Sequence, residues 1–379
     1  MNLKNLLVLA VVLLMFPQLA QALYSPALSD IVQAFAVSPQ AAGQILSVYF
    51  LAFALGVVVW GRLCDRFGRR PIMLSGLALY GGASCLALSV SSFGGLLIAQ
   101  SLAAFGAAVG SVVTQTVLRD RFSGVELAQV FSLMGIALAA SPAIGLFTGA
   151  SLVHFFGYRG MLTCLLLLAL VLWAWCLWAL PETRPASLPT APLFGTLSLM
   201  LKDWAIWRSV GLVAVFNIAM SSYYSLGPFI FERLGLSGEQ FGYSGVLLAL
   251  GSGLGAWLNK GLLKRGVNSE QLILVAGGVA LSGSVLVMML QESWLFILPM
   301  LLVVMAFGMA IPNVLGAALA AYRDCLGTAG ALFGLLYYLV IGAGLTLAAW
   351  CQAFGLTLLI CALLAILLGL ARLPTAIRR

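Results

Sequence analysis

The chain has 379 residues, of which 63% are hydrophobic and 8% charged, and its mean hydropathy is +1.11. Soluble domains carry about 25% charged residues, so the composition excludes a sizeable soluble domain and leaves a membrane protein with short loops. There is one histidine, His154, no HExxH, and an odd set of seven cysteines without a CxxC pair, which gives no reason to expect a disulfide framework, a metal centre or a cofactor. The net charge of +8 raises the question of a nucleic-acid partner, which the placement of the charges decides.

The chain opens with Lys4 and an apolar run over 5 to 16, then Ala20-Gln21-Ala22, a pattern shared with secretory signal peptides. We read it as the first membrane span, because its removal leaves an odd number of spans. Apolar runs bounded by Gly, Pro, Ser or charge predict spans at 5 to 24, 41 to 60, 71 to 92, 94 to 117, 127 to 152 and 160 to 180. Six more follow at 208 to 231, 242 to 260, 270 to 290, 294 to 318, 327 to 350 and 353 to 371. The polar connection 181 to 207, with Pro181, Pro185, Pro189, Pro192, Glu182, Arg184, Lys202 and Asp203, is the longest. It divides an N-terminal six-helix bundle, 1 to 180, from a C-terminal one, 208 to 379. The expected fold is all-α, with twelve transmembrane helices in two pseudo-symmetric bundles.

Of the nineteen Lys and Arg residues, only Arg159 and Arg233 fall in odd-numbered loops. The positive-inside rule then makes both termini and the central connection cytoplasmic, and the excess charge reports topology rather than nucleic acid. The halves also echo one another: Leu55-Gly56 followed by Gly61-Arg62-Leu63-Cys64-Asp65-Arg66 aligns with Leu254-Gly255 followed by Lys260-Gly261-Leu262-Leu263-Lys264-Arg265, 199 residues on. Repeated bundles of this kind hold a site between them near the bilayer midplane. Small residues spaced by four, at Gly106 and Gly110, at Ala137, Ser141, Gly145 and Gly149, at Gly251 and Gly255, and at Gly330 and Gly334, mark seams for close helix approach, fixed or sliding.

One connection stands out. Gly61-Arg62-Leu63-Cys64-Asp65-Arg66-Phe67-Gly68-Arg69-Arg70-Pro71 concentrates four arginines and one aspartate between two spans. Topology accounts for the arginines but not for Asp65, which has an arginine or a helix N-terminus to pair with, nor for the glycines, which permit a tight turn. This segment resembles the G-x-x-x-D-R-x-G-R-R signature of the major facilitator superfamily. Leu23-Tyr24-Ser25-Pro26-Ala27-Leu28, Arg119-Asp120, Ser141-Pro142-Ala143-Ile144-Gly145, Glu182-Thr183 and Gly327-Thr328-Ala329-Gly330-Ala331 are similar to patterns of its Bcr/CflA branch of drug:proton antiporters. The resemblance covers essentially the whole chain. It implies the major facilitator fold, a bacterial inner-membrane location, and conformational control by Gly61, Asp65, Arg66, Gly68, Arg69 and Arg70. It also implies export through Pro142 and Gly145, with Gly135 as a candidate for the other glycine of that element.

Two positions depart from the branch, which usually has an acid where this chain has Ala22 and an arginine where it has Gln100. Both belong to the branch's proton-coupling equipment. All eleven acids lie in predicted loops or near span ends, so proton coupling is left to Asp30, Glu232 or His154, or is absent. The candidate binding surface is polar and uncharged. Gln100, Ser111 and Gln115 lie within about 60° on an ideal helix. Gln18, Gln21 and Ser25 share a stripe in the first span and Asn217, Ser221, Tyr224 and Pro228 one in the seventh, while Asn313, Tyr337 and Tyr338 add polar groups. The bland role of each is interhelical hydrogen bonding.

The reading is an exporter of small amphipathic drugs or metabolites working by alternating access, with proton antiport by analogy. The alternatives are a uniporter or importer without proton antiport, and, in another class, a non-transporting sensor or a membrane-embedded enzyme, for which no serine-histidine pair or acid dyad is seen. The expected partners are a small-molecule substrate, protons and membrane lipid, without nucleic acid; oligomeric state is left open.

Overall fold

The computed structural model describes residues 3 to 184 and 193 to 371. Of the residues that set the expected topology, Pro185, Pro189, Pro192, Arg372, Arg378 and Arg379, and the side chains of Lys4, Arg323 and Asp324, lie outside the described residues. Among those described there is no strand. The helices are α1 (Leu3–Phe35), α2 (Pro39–Phe67), α3 (Arg69–Ser89), α4 (Phe93–Arg121), α5 (Gly124–Ala179), α6 (Leu193–Lys202), α7 (Trp204–Arg233), α8 (Gly238–Lys264), α9 (Ser269–Leu290), α10 (Ile297–Ala318), α11 (Leu326–Cys351) and α12 (Phe354–Leu370). Short 3-10 turns, Trp294–Phe296 and Ala320–Cys325, lead into and out of α10.

At 56 residues α5 is too long for one crossing: about 1.5 Å per residue gives about 84 Å against a hydrocarbon core of about 30 Å. It is divided at Gly157, whose φ of 64° lies in the left-handed region that a side chain disfavours. The limbs 124 to 156 and 158 to 179 are two spans, corresponding to the fifth and sixth runs of the sequence. Among the described residues ten helices are long and apolar enough to cross a membrane, and α12, with 17 residues, is a shorter apolar helix within the spanning range. With α5 counted as two spans, the protein is a twelve-span membrane protein.

The central connection differs from expectation. Leu193–Lys202 is not polar coil but an apolar helix of 10 residues. It escapes a search for spans because it is too short, and the prolines before it mask its pattern. Asp203 ends it and starts α7 at once, its carboxylate accepting from the Ala205 N–H at 2.9 Å.

The chain divides into two compact units, Met1–Pro189 and Thr190–Arg379. In the first, α1 packs on α5 and α4, and α2 and α3 pack on α4. Glycines set these crossings. A Cβ at Gly145 would stand 2.5 Å from that of Ala22, and one at Gly149 would stand 2.9 Å from Leu23 O, so α1 and α5 touch backbone to backbone. Gly106 and Gly110 do not form one seam: Gly106 faces Gly76 and Tyr80 of α3, and Gly110 faces Leu13 O of α1. Leu13 O is the carbonyl that Pro17, lacking an N–H, leaves without its helical partner; only glycine lets α4 back onto it.

The second unit repeats this construction in α8 and α10. Gly56 of α2 sits against Phe105 O of α4, and Trp60 donates its indole N–H to the same oxygen at 2.7 Å. Gly255 of α8 sits against Met305 O of α10, and Asn259 accepts from Asn313 at 2.7 Å. Gly255 and Asn259 stand 199 residues after Gly56 and Trp60, so the weak sequence echo marks equivalent crossings fastened by different side chains. Deeper in this unit Tyr223, Phe231, Phe241, Phe296 and Phe354 form one buried aromatic cluster, with Tyr223 OH bonded to Ser244 Oγ.

Candidate functional site

The arginine-rich segment is almost wholly helical. α2 runs through Phe67 and α3 begins at Arg69, leaving Gly68 alone as the turn, with φ 102°. A Cβ there would also stand 2.5 Å from Glu182 Oε2, so backbone conformation and space both require glycine. Pro71 takes the first turn of α3, where a missing N–H costs nothing.

Arg69 is the centre of a clamp. Its side chain is 1% exposed and donates through Nε to Asp120 Oδ2 at 2.7 Å, through NH2 to Asp120 Oδ1 at 3.3 Å and through NH1 to Cys64 O at 3.2 Å. This fork-on-fork pair fixes the end of α4 against the α2–α3 turn. Asp65, half-exposed and one turn before Arg69, stands 3.6 Å from NH1. Thr183 Oγ donates to Asp120 Oδ2 at 2.9 Å, which brings in the segment after α5.

Glu182 completes the arrangement from that segment. Its carboxylate accepts the backbone N–H groups of Arg69 at 2.9 Å and Arg70 at 3.1 Å, the first orphan donors of α3, and those of Thr183 and Arg184. Burial raises its pKa, but the N–H groups of Arg69, Arg184, Arg70 and Thr183 together outweigh that and hold the carboxyl below its ordinary value of 4.5. Arg70 reaches the carbonyl of Leu177 near the end of α5. Arg62 and Arg66 are exposed, and Gly61 is in ordinary contact with Val112.

The structure therefore gathers Asp65, Gly68, Arg69 and Arg70 at one place and adds Asp120, Thr183 and Glu182. The sequence held Arg119-Asp120 and Glu182-Thr183 as patterns without roles; a carboxylate at each of two span ends, beside an arginine loop, was the available signal. The exporter-like element is split. Gly145 is wedged on Ala22 and Ser141 is fully buried, with Pro142 between them half-buried, whereas a Cβ at Gly135 would meet nothing within 4 Å.

The polar candidates separate in the same way. In the first unit Gln18 is exposed, Gln21 half-buried, and Ser111 and Gln115 form a half-buried pair at 3.3 Å. Gln100 does not share their accessibility: it is 2% exposed and its Oε1 accepts no hydrogen bond among the described residues. In the second unit Asn217 is half-buried and returns its amide to Val213 O at 2.8 Å, while Ser221 and Tyr224 are buried. Asn313 is buried in its bond to Asn259, and the Tyr337 and Tyr338 rings lie 4.4 Å apart, half-buried. Of the titratable candidates, Asp30 is half-buried beside the Gly157 bend, and His154 and Glu232 are exposed. Among the described residues no cluster of His, Cys, Asp and Glu is placed to hold a metal.

Twelve apolar spans in two units that repeat one construction, the first carrying a charged clamp at its arginine turn, define a polytopic membrane protein of transporter architecture. The chain belongs to the Major Facilitator Superfamily, whose family model matches residues 10–345. It is 28% identical to multidrug resistance protein D of Escherichia coli over 99% of this chain and 96% of that one. It is 24% identical to the bicyclomycin resistance protein homolog of Haemophilus influenzae over 87% of this chain and 85% of that one. The crystal structure of a D-xylose-proton symporter shares the fold, with a TM-score of 0.77 at 16% identity, covering 98% of this chain and 97% of that one.

Proposed function

We propose that the protein exports small, neutral or zwitterionic amphipathic molecules from the cytoplasm across a bacterial inner membrane, by alternating access and in exchange for protons. The observation that carries the reading is the near end-to-end alignment with multidrug resistance protein D. The accessible polar candidates Gln18 and Gln21 of α1 and Ser111 and Gln115 of α4 are uncharged, which suits amide and hydroxyl contacts around an apolar solute better than a permanent cation. In this reading both termini face the cytoplasm, the N-terminal bundle 1 to 180 and the C-terminal bundle 208 to 379 are the moving parts, and Asp65 with the Arg69 clamp controls the switch.

A specific observation favours a second reading, uniport without protons. Ala22 is buried against Gly145, so α1 and α5 fill the place where a carboxylate would titrate. Reconstitution separates the two. A drug panel is offered to proteoliposomes with and without an imposed pH gradient, alongside a deletion strain expressing wild type or Asp65→Asn. Gradient-driven accumulation, with drug retention in cells lacking the active protein, supports proton antiport; flux indifferent to the gradient supports uniport. No difference in any solute overturns the exporter.

A further inference from the structure

We propose that the α8–α10 crossing of the second unit binds water between Asn259 and Asn313, so that it is fastened through an exchangeable ligand, independently of what the protein transports. Both side chains are more than nine-tenths buried. Asn313 spends both hydrogens of its amide nitrogen, one on Asn259 Oδ1 at 2.7 Å and one on Met309 O at 2.8 Å. The Met309 carbonyl fixes which way this amide points, because the amide oxygen would be repelled there. Asn313 Oδ1 is then an acceptor, and Asn259 Nδ2 a donor, with no hydrogen-bond partner among the described residues. Polar atoms buried unpaired are costly, and both belong to side chains already held in place by the bond between them.

The two atoms name the ligand. An anion needs donors and a cation needs acceptors, whereas this pair offers one of each, which suits a neutral group that both donates and accepts. Comparison with the first unit shows where its room comes from. The two crossings are similarly close: a Cβ at Gly56 would stand 2.7 Å from Phe105 O, and one at Gly255 would stand 2.1 Å from Met305 O. Below the first crossing lies Trp60, whose one polar hydrogen goes to Phe105 O, together with the α4 residue Val113, which precedes Asn313 by 200 positions as Phe105 precedes Met305. The second unit has a carboxamide in place of that indole and another in place of the valine. Between backbones no further apart, the smaller side chain leaves space, and amides line it; an enclosed polar space of this kind holds water. The first unit closes its crossing by a direct bond, and the second by a bridge that can exchange with solvent. Asn313 is thereby assigned to the fastening of α10.

The test is X-ray radiolytic footprinting of the full-length protein in lipid nanodiscs with no solute added, read by mass spectrometry. Hydroxyl radicals formed from a bound water oxidise the side chains beside it, and α10 supplies both reporter and control. Met309 stands one turn before Asn313 on the same face, and Met300 is fully buried nearer the start of the helix; neither is open to bulk water. Met309 should be oxidised several-fold faster than Met300. The double replacement Asn259→Leu with Asn313→Leu, which removes both polar partners together and so leaves no orphan, should bring Met309 down to the Met300 rate. Equal rates in the wild type would overturn the proposal, and this comparison needs no variant to fold. A fast Met309 rate that persists in the folded double variant would trace the oxidation to bulk solvent and overturn it as well. No transport is measured, so failure here would leave the exporter reading untouched.

Discussion

Gly68 is the residue on which the clamp turns. Its φ of 102° with ψ of 165° falls in a region essentially reserved for glycine and costs a side chain about 1–3 kcal/mol, and the Glu182 carboxylate occupies the space that a methyl needs. Gly68→Ala should lower the melting temperature of the purified protein, and an unchanged melt would show that the turn can relax. Arg69→Ala leaves Asp120 without its buried partner and should cost about 3–5 kcal/mol. Arg69→Lys should recover little of that, because a point charge cannot reproduce the two-pronged contact; thermal unfolding of both variants decides it. Glu182 adds a pH dependence of defined sign. Its folded-state pKa is depressed, so its contribution is complete above the ordinary value of 4.5 and is lost as pH falls through the lower folded value. Glu182→Gln should remove that part of the acid destabilisation, and identical acid profiles for wild type and variant would exclude the carboxylate as its source.

At the scale of the helix, glycines of identical appearance differ in what they do. Gly255 faces the Met305 carbonyl across the α8–α10 crossing, whereas two residues earlier a Cβ at Gly253 would meet nothing within 4 Å. Gly253→Ala should therefore stabilise the helix by about 0.5–1 kcal/mol, and Gly255→Ala should destabilise the protein by forcing the helices apart. Opposite shifts in melting temperature are the expected result; shifts of equal sign would mean that the crossing is loose. The four-residue spacing announced Gly255 together with Gly251 and left Gly253 out, but it could not say what Gly255 would meet, because period tells which residues share a face and not which neighbour that face meets. The same limit governs Gln100: its angular position groups it with Ser111 and Gln115, yet packing buries it and leaves the others accessible.

Across the whole molecule the two units are built alike and fastened differently. Equivalent crossings are held by Trp60 in one unit and by the Asn259–Asn313 pair in the other, and the clamp of Arg69, Asp120 and Glu182 belongs to the first alone. In the second, Arg208 instead pairs with Glu270 and ties the end of α12 through Leu368 O at 2.8 Å. In the proposed reading the switch lies in the first unit, so a change there should cost flux without loss of the fold. Asp65→Asn keeps shape and removes charge at a half-exposed position, so it should abolish export while expression and melting temperature stay near wild type; wild-type flux would remove Asp65 from the switch.

The sequence by itself determined the membrane class, twelve apolar spans, the repeat and the family, because each rests on composition, run length or residues adjacent along the chain. The signature at residues 61 to 71 belongs to that group. Tertiary structure alone decided that Asp120, Thr183 and Glu182 converge on Arg69, that Ala22 is filled by Gly145, and that an apolar helix lies inside the polar connection. Those outcomes depend on contacts between residues tens of positions apart, or on a helix too short for its pattern to stand out from the loop around it, and local pattern carries no information about either.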